Sequence, residues 1–392
     1  MTLKIFHQVG HNANWNLDSM EQDGAGDGLI LSPVHQPKHS IGNVSAEARG
    51  RSFFDPQFYL PSSKKKKLQT YSFFPENISG GFSTVDFSAH AFDAAVDCID
   101  FQVEMGFDRL VIPARFFSQM VSDYQQQQEA YTLKPFLEYI RTLSVDKPVF
   151  MTLPLTSHMV ADVKYREELL NWVTRFPEIH GVYAFVDNER DTKQVRDSDY
   201  LYESLAFFKS IVNADLELVI GYTNTEALLF SLLGDITLTF GTFENTRIFS
   251  IDKFLESDEG RRGPKARIYL PGLMNWVQYT QAKEIQRDLP EVWDGVYRST
   301  SYGDAALASV TEPTFNQPGL YKHFFLVMYD QIKTLRAMSI VDRYGYLRAA
   351  LKTAESSYAA IERGRIDLEV HGAGGHIQPW LSAINRYARG FL

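Results

Sequence analysis

Cysteine is nearly absent from this chain. The single Cys98 sits in an apolar helical pattern. It excludes an internal disulfide and any zinc site built from several thiolates, and it fits a reducing compartment. Long apolar runs are missing too, since no stretch approaches the roughly 18 to 20 uninterrupted apolar residues of a membrane helix. The N-terminal residues from Met1 to Gly10 turn polar too early for the core of a signal peptide. These absences predict a soluble, cytoplasmic protein. Positive charge is also in deficit. With 39 Lys and Arg against 48 Asp and Glu, the formal net charge is -9, so no global basic field exists to hold a nucleic-acid backbone.

Several chemical signatures are lacking as well. His-x-His and His-Glu-x-x-His do not occur, and the i,i+4 pairs His7/His11 and His35/His39 are interrupted by Gly10 and Pro37, which break the helix such ligands need. There is no Gly-x-Ser-x-Gly for a serine nucleophile. No Gly-x-Gly-x-x-Gly follows the first expected strand, and His371-Gly372-Ala373-Gly374-Gly375-His376 lacks the lysine and hydroxyl of a P-loop. The sequence therefore calls for no cofactor and no metal.

What is present is a βα rhythm. Hydrophobic residues make up 44% of 392 and aromatics 14%, enough for one large core and a smaller second one. Short apolar runs alternate with amphipathic segments from about residue 27 to about 290. The expected strands are Asp27 to Ser32, Ser52 to Asp55, Arg109 to Pro113, Pro148 to Leu153, Gly181 to Val186, Leu216 to Tyr222, Ile236 to Gly241 and Arg267 to Leu270. Helical spacing marks Ala91 to Met105, Leu133 to Leu143, Asp162 to Arg175, Asp199 to Val212, Thr225 to Leu233 and Trp276 to Arg287. Eight such units over this length predict a (β/α)8 TIM-barrel-like domain. The expected organisation is an N-terminal arm over 1–26, the barrel over 27–297 and a linker with a C-terminal helical extension over 298–392. A long polar insertion at about 56–88 is a candidate lid. Within it, Lys64, Lys65, Lys66 and Lys67 form a local cationic run, read as a solvated loop or as a contact for nucleic acid or phosphate.

In such a barrel the residues just past the strand ends face one another across the mouth. The most informative stretch is Gly181 to Asp191, an apolar strand that ends in Asp187, Asn188, Glu189, Arg190 and Asp191. Asp55 and Gln57 follow the second expected strand, with Pro56 fixing the turn between them. Arg115 follows the third as the cation suited to a phosphate or carboxylate. Tyr222 and Asn224 follow the sixth, Glu244 the seventh, and Asn275 and Trp276 the eighth. A mouth rich in carboxylates, amides and aromatics suits a polar ligand such as a sugar or nucleoside.

The specific expectation is acid-assisted cleavage or transfer at a glycosidic or N-glycosidic bond, with Glu189 and Glu244 as the carboxyl pair and Asp187 or Asp55 as alternates. Gln57, Arg115, Asn188, Tyr222, Asn224, Asn275 and Trp276 would bind substrate. The Asn188-Glu189 dipeptide resembles the acid/base pair of the large retaining glycosidase group, in which the acid/base follows strand four and the nucleophile strand seven. Here the dipeptide follows the fifth expected strand, and Glu244 stands in no nucleophile motif. The competing expectation is a non-catalytic binding or assembly subunit that recognises a nucleotide, a nucleic acid or a protein partner, with its C-terminal helices open to oligomer contacts.

Overall fold

Lys4–Gln8 (β1), five residues inside the stretch expected to be an arm, opens the barrel. In the computed structural model, which describes residues 2–79, 87–188, 190, 192–256 and 263–392, seven further parallel strands follow. They are Gly28–Leu31 (β2), Phe53–Phe54 (β3), Leu110–Ile112 (β4), Val149–Thr156 (β5), Ile179–Asp187 (β6), Glu217–Ile220 (β7) and Thr237–Gly241 (β8). They lie in the order β3-β2-β1-β8-β7-β6-β5-β4. The first and last strands pair directly, Lys4 opposite Thr237 and Gln8 opposite Gly241. Between β3 and β4 the wall is drawn together by the Asp108 amide donating to the Ser52 carbonyl at 3.0 Å. The eight-stranded parallel barrel is the (β/α)8 TIM fold.

β1 escapes a search for apolar runs because His7 and Gln8 sit in it. Alternation explains both. Phe6 and Gln8 point into the barrel, where Phe6 meets Phe53. His7 points outward against Phe240 and Phe325. The imidazole is fully buried; its Nε2 lies 2.6 Å from the Ala25 carbonyl and its Nδ1 3.0 Å from the Asn16 amide, a set satisfied by the neutral Nε2–H tautomer. Gly26, at φ +118, leaves the space that ring needs, since a Cβ there would lie 2.6 Å from it.

The run expected as an eighth strand, Arg267–Leu270 (β9), stands outside the barrel. It pairs antiparallel with Asn275–Gln278 (β10) in a separate hairpin, and Ile268, Leu270, Val277, Ile285, Trp293 and Val296 pack beside it in a second, smaller cluster. A four-residue apolar run cannot by itself say which sheet it joins. As a result every expected strand position moves up by one, so that Asp187 and Asn188 follow β6, Tyr222 and Asn224 follow β7, and Glu244 follows β8.

The helices fall close to their expected places. Asp162 accepts from the Tyr165 amide at the start of Val163–Val173, and Asp197 accepts from the Asp199 and Tyr200 amides at the start of Ser198–Asn213, satisfying donors that a helix end leaves bare. The C-terminal helices Gly319–Arg336, Ile340–Arg363 and Ile377–Phe391 are fastened to the barrel. Phe324 and Phe325 pack on Phe240, and the Trp380 indole donates to the Val195 carbonyl at 2.9 Å. Among the described residues, no helix is long and apolar enough to cross a membrane.

Candidate functional site

Asp55 lies in the innermost polar layer of the barrel. Phe53 faces inward, so the residue two positions on does too, and its backbone is fixed by a hydrogen bond from its amide to the Leu31 carbonyl at 2.9 Å. The carboxyl is wholly buried. Oδ1 accepts from the Tyr59 hydroxyl at 2.8 Å and the Gln57 amide at 3.1 Å, and Oδ2 accepts from the Tyr183 hydroxyl at 3.5 Å. Tyr183 comes from β6 and also reaches Oε1 of Gln8 at 3.2 Å. Gly221 makes room for its ring, since a Cβ there would stand 2.5 Å from Cε2. Gln57, held at φ 57, accepts from the Val34 amide and donates to the Tyr222 hydroxyl at 3.1 Å. Residues from β1, β3, β6 and the turn after β7 thus converge on one carboxyl.

Lys253 closes the cluster. It sits on the short 3-10 turn Ile251–Phe254 after β8. Its Nζ is shut off from solvent with no hydrogen-bond partner among the described residues, although the rest of the residue is partly exposed. The ammonium rests 3.7 Å from the centre of the Tyr222 ring, with Phe249 and Phe254 beside it. Burial pushes the Lys253 amine well below its usual range, and Asp55 opposes that shift. Burial likewise raises the Asp55 carboxyl, against the pull of the Tyr59 hydroxyl, Lys253, the Gln57 amide and Tyr183. Burial first and the Asp55 charge second lift the Tyr59, Tyr183 and Tyr222 hydroxyls far above their usual values, so all three remain proton donors. His35 stands nearby as a neutral ring, its proton affinity lowered by burial and then by Lys253, Lys67 and His11. A carboxyl raised and an amine lowered by the same burial are each coupled to the other's charge, so the protonation state of one biases the other.

The other expected residues divide. Glu189 and Asp191 lie outside the described residues, so the expected Glu189 and Glu244 pair has only its second member in view. Asp187 ends β6. Asn188 is buried and accepts from Arg190 Nε at 2.9 Å. Arg190 in turn pairs with Glu226. Arg115 makes no ion pair among the described residues; its backbone is clamped by the Gln128 amide and its guanidinium lies 5.1 Å from the centre of the Phe117 ring. Asn224 donates to the Lys193 carbonyl while its Oδ1 is buried without a partner among the described residues. Asn275 is saturated by Gln194, the Trp276 amide, Tyr358 and the Ala373 carbonyl, which makes it a joint between the hairpin and the C-terminal helices.

Glu244 and Trp276 belong to a neighbouring cavity of about 390 Å³. Glu244 is exposed and ion-paired with Lys193. Partial burial raises its carboxyl, but Lys193, Arg247 and His371 outweigh that and hold it below the usual range, the wrong direction for a group meant to donate a proton. Trp276 is almost fully buried, with the Arg247 guanidinium stacked 4.2 Å from its ring centre.

The insertion after β3 departs from its polar reading. Phe58, Tyr59, Tyr71, Phe73 and Phe74 are buried in it, and Ser63 bonds the Phe254 carbonyl at 2.6 Å. The described part of this segment is therefore wall and core over the mouth. Lys67 donates to the His35 carbonyl at 2.7 Å, whereas Lys64 and Lys66 are exposed. Residues 80–86 lie outside the described residues. Sequence reasoning missed Gln8, Tyr59, Tyr183 and Lys253. Tyr183 had a signal, as the inward-facing member of the β6 alternation once Phe185 is also turned inward. Lys253 had none, because it lies on a turn whose sequence, Ser250-Ile251-Asp252-Lys253-Phe254, looks like any solvated loop.

Fold and site together define a (β/α)8 barrel in which the buried Asp55 carboxyl, the Lys253 amine, unpartnered among the described residues, and three tyrosine hydroxyls meet. No family model and no curated protein matches the chain. Among solved structures it is similar to the crystal structure of dihydrodipicolinate synthase from Oceanobacillus iheyensis, at 9% identity over 99% of this chain and 96% of that chain, with a TM-score of 0.34.

Proposed function

We propose that this barrel is an enzyme that cleaves or transfers at a glycosidic or N-glycosidic bond, with Asp55 as the working carboxyl. The observation that carries the reading is the fully buried Asp55 carboxyl just past the C-terminal end of β3, raised by burial and faced by two hydroxyl donors and an amine. As a carboxylate, Asp55 stabilises or attacks an electron-poor sugar carbon; in its protonated state it serves as the acid toward a leaving group. Lys253 and the tyrosines set which state prevails. In this reading Glu244 is an ionised contact in the adjacent cavity, and the roles first expected of the Glu189 and Glu244 pair pass to Asp55.

The test is release of free base or sugar from a panel of nucleosides, nucleotides and aryl glycosides. Turnover by the native protein and its loss in Asp55→Asn, with the fold retained, supports the reading. A native protein inert across the panel refutes it, and a copurifying partner would then favour the binding subunit. The unpartnered Nζ of Lys253 favours one second reading, in which the neutral amine attacks a carbonyl. Borohydride trapping of a carbonyl substrate on Lys253 distinguishes the two.

A further inference from the structure

The cavity beside the cluster carries donors that no acceptor among the described residues receives. Arg247 is 6% exposed, and its Nε and Nη1 have no hydrogen-bond partner among the described residues. The Trp276 indole N–H is equally unpartnered. Both residues line the same cavity of about 390 Å³, together with Lys193, Lys265, Arg267 and Glu244. Lys193 is neutralised by Glu244 and Arg267 by Glu369, which leaves Arg247 and Lys265 as cations without an ion pair among the described residues. Burial drives the Arg247 guanidinium down to about 10, against the pull of Tyr321, Glu244 and Glu226; it stays charged at neutral pH. A buried, charged guanidinium with two nitrogens unpartnered among the described residues is costly unless a ligand supplies acceptors.

We infer that this cavity binds a nucleoside monophosphate. Its phosphate is held by Arg247 and Lys265, and its base lies on the aromatic wall to which Trp276 belongs. The chemistry follows from the orphan groups. All of those named are donors, so the ligand must present acceptors, and a phosphate offers several oxygens to a charged guanidinium and an ammonium at once. The volume suits a ligand of nucleotide size, and apolar ring faces give a planar base a place to stack. The inference does not depend on Asp55 performing any chemistry, because its readout is binding.

The experiment is calorimetric titration of the full chain with AMP, GMP, CMP and UMP, and with adenosine, inorganic phosphate and succinate as separate arms, each at low and high salt. The expected result is that at least one nucleotide binds ten-fold or more tightly than adenosine and than inorganic phosphate, more weakly at high salt. Arg247→Met should lose at least ten-fold in affinity and the exposed Lys265→Ala a smaller factor. Failure of every nucleotide to bind the native protein overturns the inference. So does equal binding of AMP and adenosine, tighter binding of succinate, or affinity for phosphate alone that a nucleotide does not exceed. If Arg247→Met does not fold, the native titrations together with Lys265→Ala decide the matter.

Discussion

Replacing Asp55 by asparagine should remove activity while making the protein more stable in alkaline solution. The carboxyl is raised by burial from its usual 3.8 to about 6. A raised folded-state value means that the native protein holds the proton more tightly than the unfolded chain does. The contribution to stability is therefore complete below the unfolded value and is lost as the pH climbs through about 6. At about 1.4 kcal/mol per pH unit, the ionised group costs roughly 3 kcal/mol at pH 8. Asparagine keeps the acceptor that Tyr59 and the Gln57 amide use, and its amide can donate to the Tyr183 oxygen, which still donates to Gln8. Lys253 loses its counter-charge and offsets part of the gain, leaving a net increase of about 1 to 2 kcal/mol at pH 8. For a chain of 392 residues that is a rise in Tm of about 1 to 3 °C, absent at pH 4. Thermal melts of both proteins at pH 4, 6 and 8 measure it, beside turnover that should fall at least about 100-fold. An Asp55→Asn protein that is less stable at pH 8 by 2 kcal/mol or more, or one that retains full activity, refutes the reasoning and makes the carboxylate a structural post.

Other expectations follow from the same geometry. His7 and His323 are buried as neutral rings, each lowered by burial to about 4. Their stabilising contribution is complete above the unfolded value of 6.5 and drains as the pH falls, so denaturant titrations should show stability dropping by about 3 kcal/mol per pH unit between roughly pH 6 and 4.5 from these two groups. A slope unchanged by substituting both histidines would contradict this. Gly221→Ala places a methyl 2.5 Å from the Tyr183 ring and should cost about 1 to 3 kcal/mol, with turnover falling as Tyr183 leaves Asp55; unaltered stability and rate would show that the contact is slack. Asn275→Ala should cost about 2 to 4 kcal/mol and leave KM unchanged, since every polar atom of that side chain is already engaged; a KM effect with unaltered stability would return it to the substrate.

Much of the fold was legible because the buried parallel strands are apolar along their whole length. β5 is buried at all eight positions, and such a run stands out against amphipathic neighbours. β1 was not legible, because a strand with an imidazole on one face and an amide on the other resembles a polar arm. Its loss shifted the count and let the β9 hairpin pass for the eighth strand. Of the site, Asp55, Gln57 and Tyr222 were marked by their positions after strand ends, while Tyr183 and Lys253 depended on how distant segments meet. Glu244 followed a strand end just as clearly, yet Lys193, 51 residues away in sequence, sets its charge. Proximity to a strand end is readable from sequence, whereas the partner that fixes a proton affinity usually is not.

β3 has only two residues and pairs with β2, while the hydrogen bond from Asp108 to Ser52 ties it to the β4 side. The anchor of Asp55 to Leu31 belongs to the β2 side of that seam. A second bond crosses the same seam, from the Phe116 amide to the Tyr59 carbonyl at 3.1 Å, so the segment that carries Asp55's hydroxyl partner is held from the β4 side as well. With so few bonds across it, this seam should exchange hydrogen faster at the Asp108 amide than the eight-position ladder joining β5 to β6 does. In mechanical terms, the barrel has a seam, and its buried carboxyl is stitched to both edges of it, by its own amide on one and through Tyr59 on the other.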